Sequence, residues 1–224
     1  MNEGKREFNV PNTIVRHAPL PEGPDLLFVH LLEPHLNGEG YVETMLEVFE
    51  HLGVKKYSLI GGMYDMVPHT RPLLVSGVGV GSGVEEENRL VKVQTSNYEG
   101  PTTITYLIGQ GAAQRGVETR IYVVHLPQYF QLDEDFTGTA RLMEILCTLY
   151  KLPDRLIEAD RGREQYTSLR DMVNDESGVS NLLQRLEERY DENQRESGGT
   201  TGPLAPNIEE FLMDLDRGFG PSDP

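Results

Sequence analysis

Residues 61 to 72 read Gly61-Gly62-Met63-Tyr64-Asp65-Met66-Val67-Pro68-His69-Thr70-Arg71-Pro72, a stretch that sets an imidazole and a guanidinium two positions apart between prolines. Each proline locks its own φ and drives its predecessor toward extended geometry, so the backbone itself holds His69 and Arg71. A guanidinium offers a planar fork of donors that matches a carboxylate, and a nearby imidazole can add a hydrogen bond. The chemistry available is recognition of an anionic group. The apolar run Tyr57 to Ile60 leads into the loop, and Gly61-Gly62 at its end permits dihedrals closed to other residues. A second segment, His125-Leu126-Pro127-Gln128-Tyr129-Phe130, ends another apolar run and is expected to approach the loop, with Tyr129 and Phe130 as partly buried anchors. Gly61, Gly62, His69, Arg71, His125 and Tyr129 form the candidate binding rim.

Other constellations fall short of a complete chemical apparatus. Gly77-Val78-Gly79-Val80-Gly81-Ser82-Gly83 has Ser82 where a dinucleotide fingerprint needs its third glycine, and no Lys-Ser or Lys-Thr follows to make a phosphate loop. It reads as a turn or bulge. Around Ser76 and Ser82 the glycines have the wrong offsets for a nucleophile elbow, which argues against serine hydrolysis. The histidines at 17, 30, 35, 51, 69 and 125 show no His-Glu-x-x-His spacing, so no metal site and no cofactor is expected. Carboxylate runs at 85–87, 133–135 and 187–188 read as solvated faces, because adjacency along a chain gives no acid/base geometry. The one cysteine, Cys147, lies in an apolar helical pattern and reads as a buried small residue.

The elements that must position the rim follow from periodicity. Residues 1–24 read as an extended lead-in, with one edge strand around Thr13 to Arg16. Leu26 to Leu32 is a continuous apolar run, as expected for a strand covered on both faces. Val42, Met45, Leu46, Phe49 and Leu52 then recur at helical spacing, with Gly53 where a left-handed cap belongs. Strands are expected at 57–60, 73–80, 90–93 and 119–124, and a helix opening at Gly100-Pro101 and closing at Gly116. Alternation of this kind implies a largely parallel sheet with helices on both faces, an α/β core over 25–136. Residues 137–192 read as a helical segment whose last helix, Val179 to Tyr190, carries a narrow apolar stripe, and 193–224 as a disordered acidic tail.

The chain of 224 residues has 20 basic against 36 acidic side chains, a net charge of −16, of which −11 falls in residues 131–224. Such a field repels phosphate backbones and anionic lipid heads, so neither nucleic acid nor membrane is an expected partner. The polar amino terminus, the absence of a long apolar run and the lone cysteine point to a cytoplasmic protein.

In this order, the helix end at Leu52-Gly53-Val54, Gly61-Gly62, Val67-Pro68-His69-Thr70-Arg71-Pro72, the Leu126-Pro127-Gln128-Tyr129-Phe130 turn and the closing Leu186-Glu187-Glu188-Arg189-Tyr190 resemble the family of the second proteasome assembly chaperone and its archaeal and bacterial relatives. The likeness runs from Asp25 to Tyr190. It implies a three-layer α/β/α fold like that of nucleoside phosphorylases with an added helical segment, self-association with a trimer as the first expectation, and binding of protein partners rather than turnover. Some relatives carry the label ATP-grasp-like or carboxylate-amine ligase, so a small-molecule enzyme, or a phosphorylase-like nucleoside binder, is the alternative. Two departures stand out. Residues 1–24 are too few for the β-α elements that relatives carry ahead of Asp25, which implies a shortened sheet with an edge in need of a partner. The ending Gly218-Phe219-Gly220-Pro221-Ser222-Asp223-Pro224 lacks the hydrophobic-Tyr-x signal by which some archaeal relatives dock on the proteasome.

Overall fold

The structure, a computed structural model, describes residues 13–21, 23–95, 103–129, 132–174 and 177–196. The start of the lead-in, the Gly100-Pro101 helix opening, Phe130 and the tail from 197 lie outside the described residues. The chain divides into two units, one of residues 1–57 with 100–119 and one of residues 58–99 with 120–224.

In the first unit β1 (Ile14–Ala18) and β2 (Leu26–His30) form an antiparallel pair in the register Ile14 to His30 and Ala18 to Leu26. The apolar run at 26–32 is therefore half of a two-stranded hairpin rather than a strand covered on both faces, and Phe28 stands 50% exposed. An unbroken apolar run looks alike in both settings, so its composition cannot distinguish them. Helix α1 (Gly38–His51) ends as its spacing predicts: Gly53 takes φ +65°, a left-handed conformation that costs glycine little and other residues more. It packs on α3 (Ile104–Gln114), burying Met45, Leu46 and Phe49 against Ile104, Ile108 and Ala112. The Thr103 hydroxyl caps α3 by accepting from Tyr106 N at 3.3 Å, and both oxygens of Glu33 accept from Ile104 N at 3.2 Å. A carboxylate there satisfies the open amides of the first turn and suits the positive end of the helix.

The second unit is organised by a four-stranded sheet of order β3-β6-β4-β5, made of β3 (Lys56–Asp65), β6 (Glu118–Pro127), β4 (Val75–Val80) and β5 (Gln94–Thr95). The first residues of β3 and β6 belong to the other unit. Glu118 N donates to Lys55 O and Gln128 N to Asp65 O, so β3 and β6 run in the same direction. β4 and β5 are parallel to each other. His125 N donates to Leu74 O while Gly77 lies against the Ile121 carbonyl, so β4 runs against β6. The sheet is mostly parallel in its pairings, the β6-β4 pairing alone being antiparallel. A Cβ on Gly77 would sit 2.6 Å from that carbonyl, so close strand approach explains this glycine. The expected strand at 90–93 is instead the end of α2 (Val84–Leu90) and a turn.

Helices α4 (Phe136–Tyr150) and α5 (Ala159–Asn174) flank this sheet, setting Ile145, Tyr166 and Leu169 against Leu73, Val75, Tyr122 and Val124. Asp135, expected as a solvated acid, caps α4 by accepting from Gly138 N at 2.7 Å. Cys147 is 4% exposed, and burial, with Asp154 nearby, raises its thiol pKa. A short 3-10 turn (Asp154–Leu156) leads into α5, and α6 (Ser177–Glu196) closes the described chain. Among the described residues, no helix is long and apolar enough to cross a membrane.

Candidate functional site

Gly61 and Gly62 lie inside β3, which continues to Asp65, and neither has a positive φ. Pairing with β6 carries the extended backbone through both glycines, so the special conformation expected of them is not used. The loop proper begins at Met66, whose amide donates to Asp65 Oδ1 at 2.7 Å. Val67 and Pro68 are buried, and His69 is 6% exposed. The sequence places the imidazole on the loop; the structure turns it inward.

His69 is fixed by Tyr129. The Tyr129 hydroxyl accepts from the His69 amide at 2.7 Å and lies 2.9 Å from Nδ1 of the same residue, with the rings edge to face at 5.8 Å. Tyr166 also meets the imidazole edge to face, at 6.1 Å, and donates its own hydroxyl proton to Asp135 Oδ2 at 2.7 Å. Burial and the positive charge of Arg170 lower the His69 pKa, and Glu187 opposes them in part. Burial pushes the Tyr129 hydroxyl up to about 12.

Arg71 turns the other way, toward α6. Nε donates to Asp191 Oδ1 at 3.0 Å and Nη2 to Asp191 Oδ2 at 2.8 Å, a two-point fork, while Nη1 donates to Glu187 Oε1 at 3.2 Å. The Thr70 hydroxyl also donates to Glu187, and the Tyr190 hydroxyl donates to Pro72 O at 3.0 Å. Hydrogen bonding to Arg71 holds the Asp191 carboxyl below the usual carboxylate range. The guanidinium of this loop thus has two carboxylate partners from its own chain.

His125 belongs to a third group. Its Nδ1 lies 2.7 Å from Asp65 Oδ2 and its Nε2 lies 2.8 Å from Ser76 Oγ, an order that satisfies all three when Nδ1 donates and Nε2 accepts. Burial pushes the Asp65 carboxyl up, but the His125 hydrogen bond and charge, the Met66 amide and Arg189 of α6 together leave it lowered. Ser, His and Asp stand here in the order of an acyl-transfer triad. Ser76 and His125, however, are 3% and 2% exposed. In this arrangement the trio ties the end of β3 to β6 and β4 through satisfied polar groups, with the hydroxyl closed to solvent. The glycine-offset test at Ser76 could not reveal it, because the triad partners come from other strands. Asp65, Ser76, Glu187 and Asp191 are the residues that sequence reasoning leaves out of the site. Among the described residues, no group of three His, Cys, Asp or Glu is placed to hold a metal ion.

The fold is that of a mixed α/β protein with a mostly parallel sheet, and the loop that follows β3 carries His69 and Arg71. The chain belongs to the PAC2 family, whose model matches residues 1–161. Its fold is similar to that of a proteasome-assembly chaperone homologue from Mycobacterium tuberculosis, at 19% identity and TM-score 0.68, covering 80% of this chain and 75% of that one. It is also similar to a protein of unknown function from the same organism, at 23% identity and TM-score 0.67, and to one from Corynebacterium glutamicum, at 20% identity and TM-score 0.66. Those two alignments cover 78% and 77% of this chain but only 58% and 63% of the other proteins. No protein of curated function matches the sequence. The ligase and ATP-grasp labels find no support in any of these likenesses, which give the family and the fold.

Proposed function

We propose that this chain is a non-enzymatic binding protein of the proteasome-assembly-chaperone type, which holds core-particle subunits and releases them unchanged. The observation that carries this reading is the family match over residues 1–161, which includes the whole 61–72 loop and the 125–129 turn. Arg71 supports it: a partly exposed guanidinium that forks a carboxylate, on a loop that buried His69 and Tyr129 brace from within. A cytoplasmic location and self-association, with a trimer as the first expectation, belong to the same proposal. The small-molecule alternative has less to work with. The groove between α1 and α3, about 570 Å³, is lined by Val42, Leu46 and Leu107, and its Glu43 and Arg115 pair with each other at 2.5 Å.

The test is co-purification and native mass spectrometry of the full chain with unassembled core subunits from the same source. A stoichiometric complex that disappears once the core particle closes is expected. Absence of any complex, together with a saturable several-degree thermal shift from a nucleotide, nucleoside or amino acid, would replace this reading by the alternative. Light scattering on the purified chain checks the trimer.

A further inference from the structure

Helix α6 begins at Ser177, beyond the 161 residues that the family model matches, whereas the loop it touches lies inside them. The rim belongs to the shared part of the chain and its cover to the part that follows. The contact is made from one face of the helix: Glu187, Tyr190 and Asp191, at positions i, i+3 and i+4, reach Thr70, Arg71 and Pro72. It is mainly polar and open to water, since the side chains of Arg71, Glu187 and Asp191 are 31%, 28% and 40% exposed. Salt and solvent weaken ion pairs of this kind, and contacts of this polarity resemble transient interfaces more than cores. On the apolar side, Leu186 is 1% exposed, while among the described residues the core cluster of the sheet from Leu73 to Leu169 includes no α6 residue. The helix is thus seated by Leu186 and lays a charged face over the loop.

We propose that α6 is a displaceable cover that occupies the 68–72 loop in cis, and that the loop's external ligand is an acidic helix of a partner protein presenting two carboxylates one turn apart. The incoming pair takes the places of Glu187 and Asp191 on Arg71. This deepens the chaperone reading and rests on it, because it names the partner chemistry of the same rim. The net charge of −16 disfavours anionic partners in general, so selection falls to the fixed fork of Arg71 and to the spacing of the two acids.

The experiment uses the full chain and a fluorescent peptide of residues 177–196, read by anisotropy. Glu187→Gln with Asp191→Asn releases the cover while keeping side-chain shape, and this variant is expected to bind the peptide at least about tenfold more tightly than wild type. Adding Arg71→Gln to the released variant should remove that gain. Equal binding by wild type and the released variant would overturn the proposal. A measurement on wild type covers the case in which the variant does not fold. Amide exchange in residues 182–195 should run at least about a hundredfold ahead of that in β6 and quicken with salt; protection equal to that of β6 would overturn the proposal by itself. No proteasome subunit enters either assay, so a failed cover with a positive co-purification leaves the chaperone reading standing. A working cover with no subunit binding would instead remove the proteasome from the account.

Discussion

Two histidine-centred groups in the same unit show how environment decides what similar side chains do. Around His125, an Asp and a Ser meet an imidazole that is 2% exposed, the Ser being 3% exposed, and the two hydrogen bonds join three strands. Around the 68–72 loop, His69 is packed against Tyr129 and Tyr166 while Arg71, two residues on, is clasped by acids that water can reach. The first group has catalytic residue types in catalytic order with no open path to the hydroxyl. The second is a charged contact whose side chains are partly exposed. Residue type alone would have ranked them the other way round.

The sharpest way to break this contrast is to remove a member of the buried group. Asp65→Ala leaves the His125 Nδ1 without its partner and should destabilise the protein by about 1–3 kcal/mol in denaturant unfolding, with Ser76→Ala at the lower end of that range. A loss within ~0.5 kcal/mol for both would mean that the trio does not tie the sheet. A fluorophosphonate probe tests the same group from the chemical side. No covalent adduct at Ser76 is expected under native conditions, and mass-detected labelling that His125→Ala abolishes would make the trio a working triad.

The next effect concerns pH. Because the folded-state pKa of His69 is depressed by burial and Arg170, the unfolded chain binds more protons than the folded one once pH nears its ordinary value of 6.5. His69 thus contributes stability above that value, and the contribution is lost as pH falls toward and through the lowered folded pKa. Thermal midpoints should drop between pH 7.5 and 5.5, and His69→Gln should flatten that slope. An unchanged slope would show that the imidazole titrates as it would in water. A weaker effect is expected at the clasp: a double-mutant cycle on Arg71 and Asp191 should show favourable coupling at low salt that fades in about 1 M salt. Smallest of all, Gly61→Ala meets nothing within 4 Å and should change stability by less than ~0.5 kcal/mol.

What the sequence reveals divides along the range of the interactions. The α1 stripe with its Gly53 cap, the β3 and β6 runs and the pairing of the loop with Tyr129 were all legible, because helical spacing, caps and rigid prolines act over a few residues. The hairpin of β1 and β2 was misread as part of a covered sheet, since the apolar run at 26–32 carries no record of what lies on its faces. The reversed direction of β4 escaped for a related reason: strand composition does not encode which way a neighbour runs. The site was half legible. Arg71 signalled that it would bind a carboxylate, but its ligands lie 116 and 120 positions away on a helix whose acids look like any solvated face.

The order β3-β6-β4-β5 has a further consequence for how the molecule is made. The strand that joins β3 to the β4-β5 pair is the last of the four to leave the ribosome, and until Pro127 has emerged the nascent chain presents strand edges with nothing to zip them together. Sheet closure is therefore a late event in synthesis, and a pause in translation before residue 118 would prolong the interval in which those edges invite aggregation.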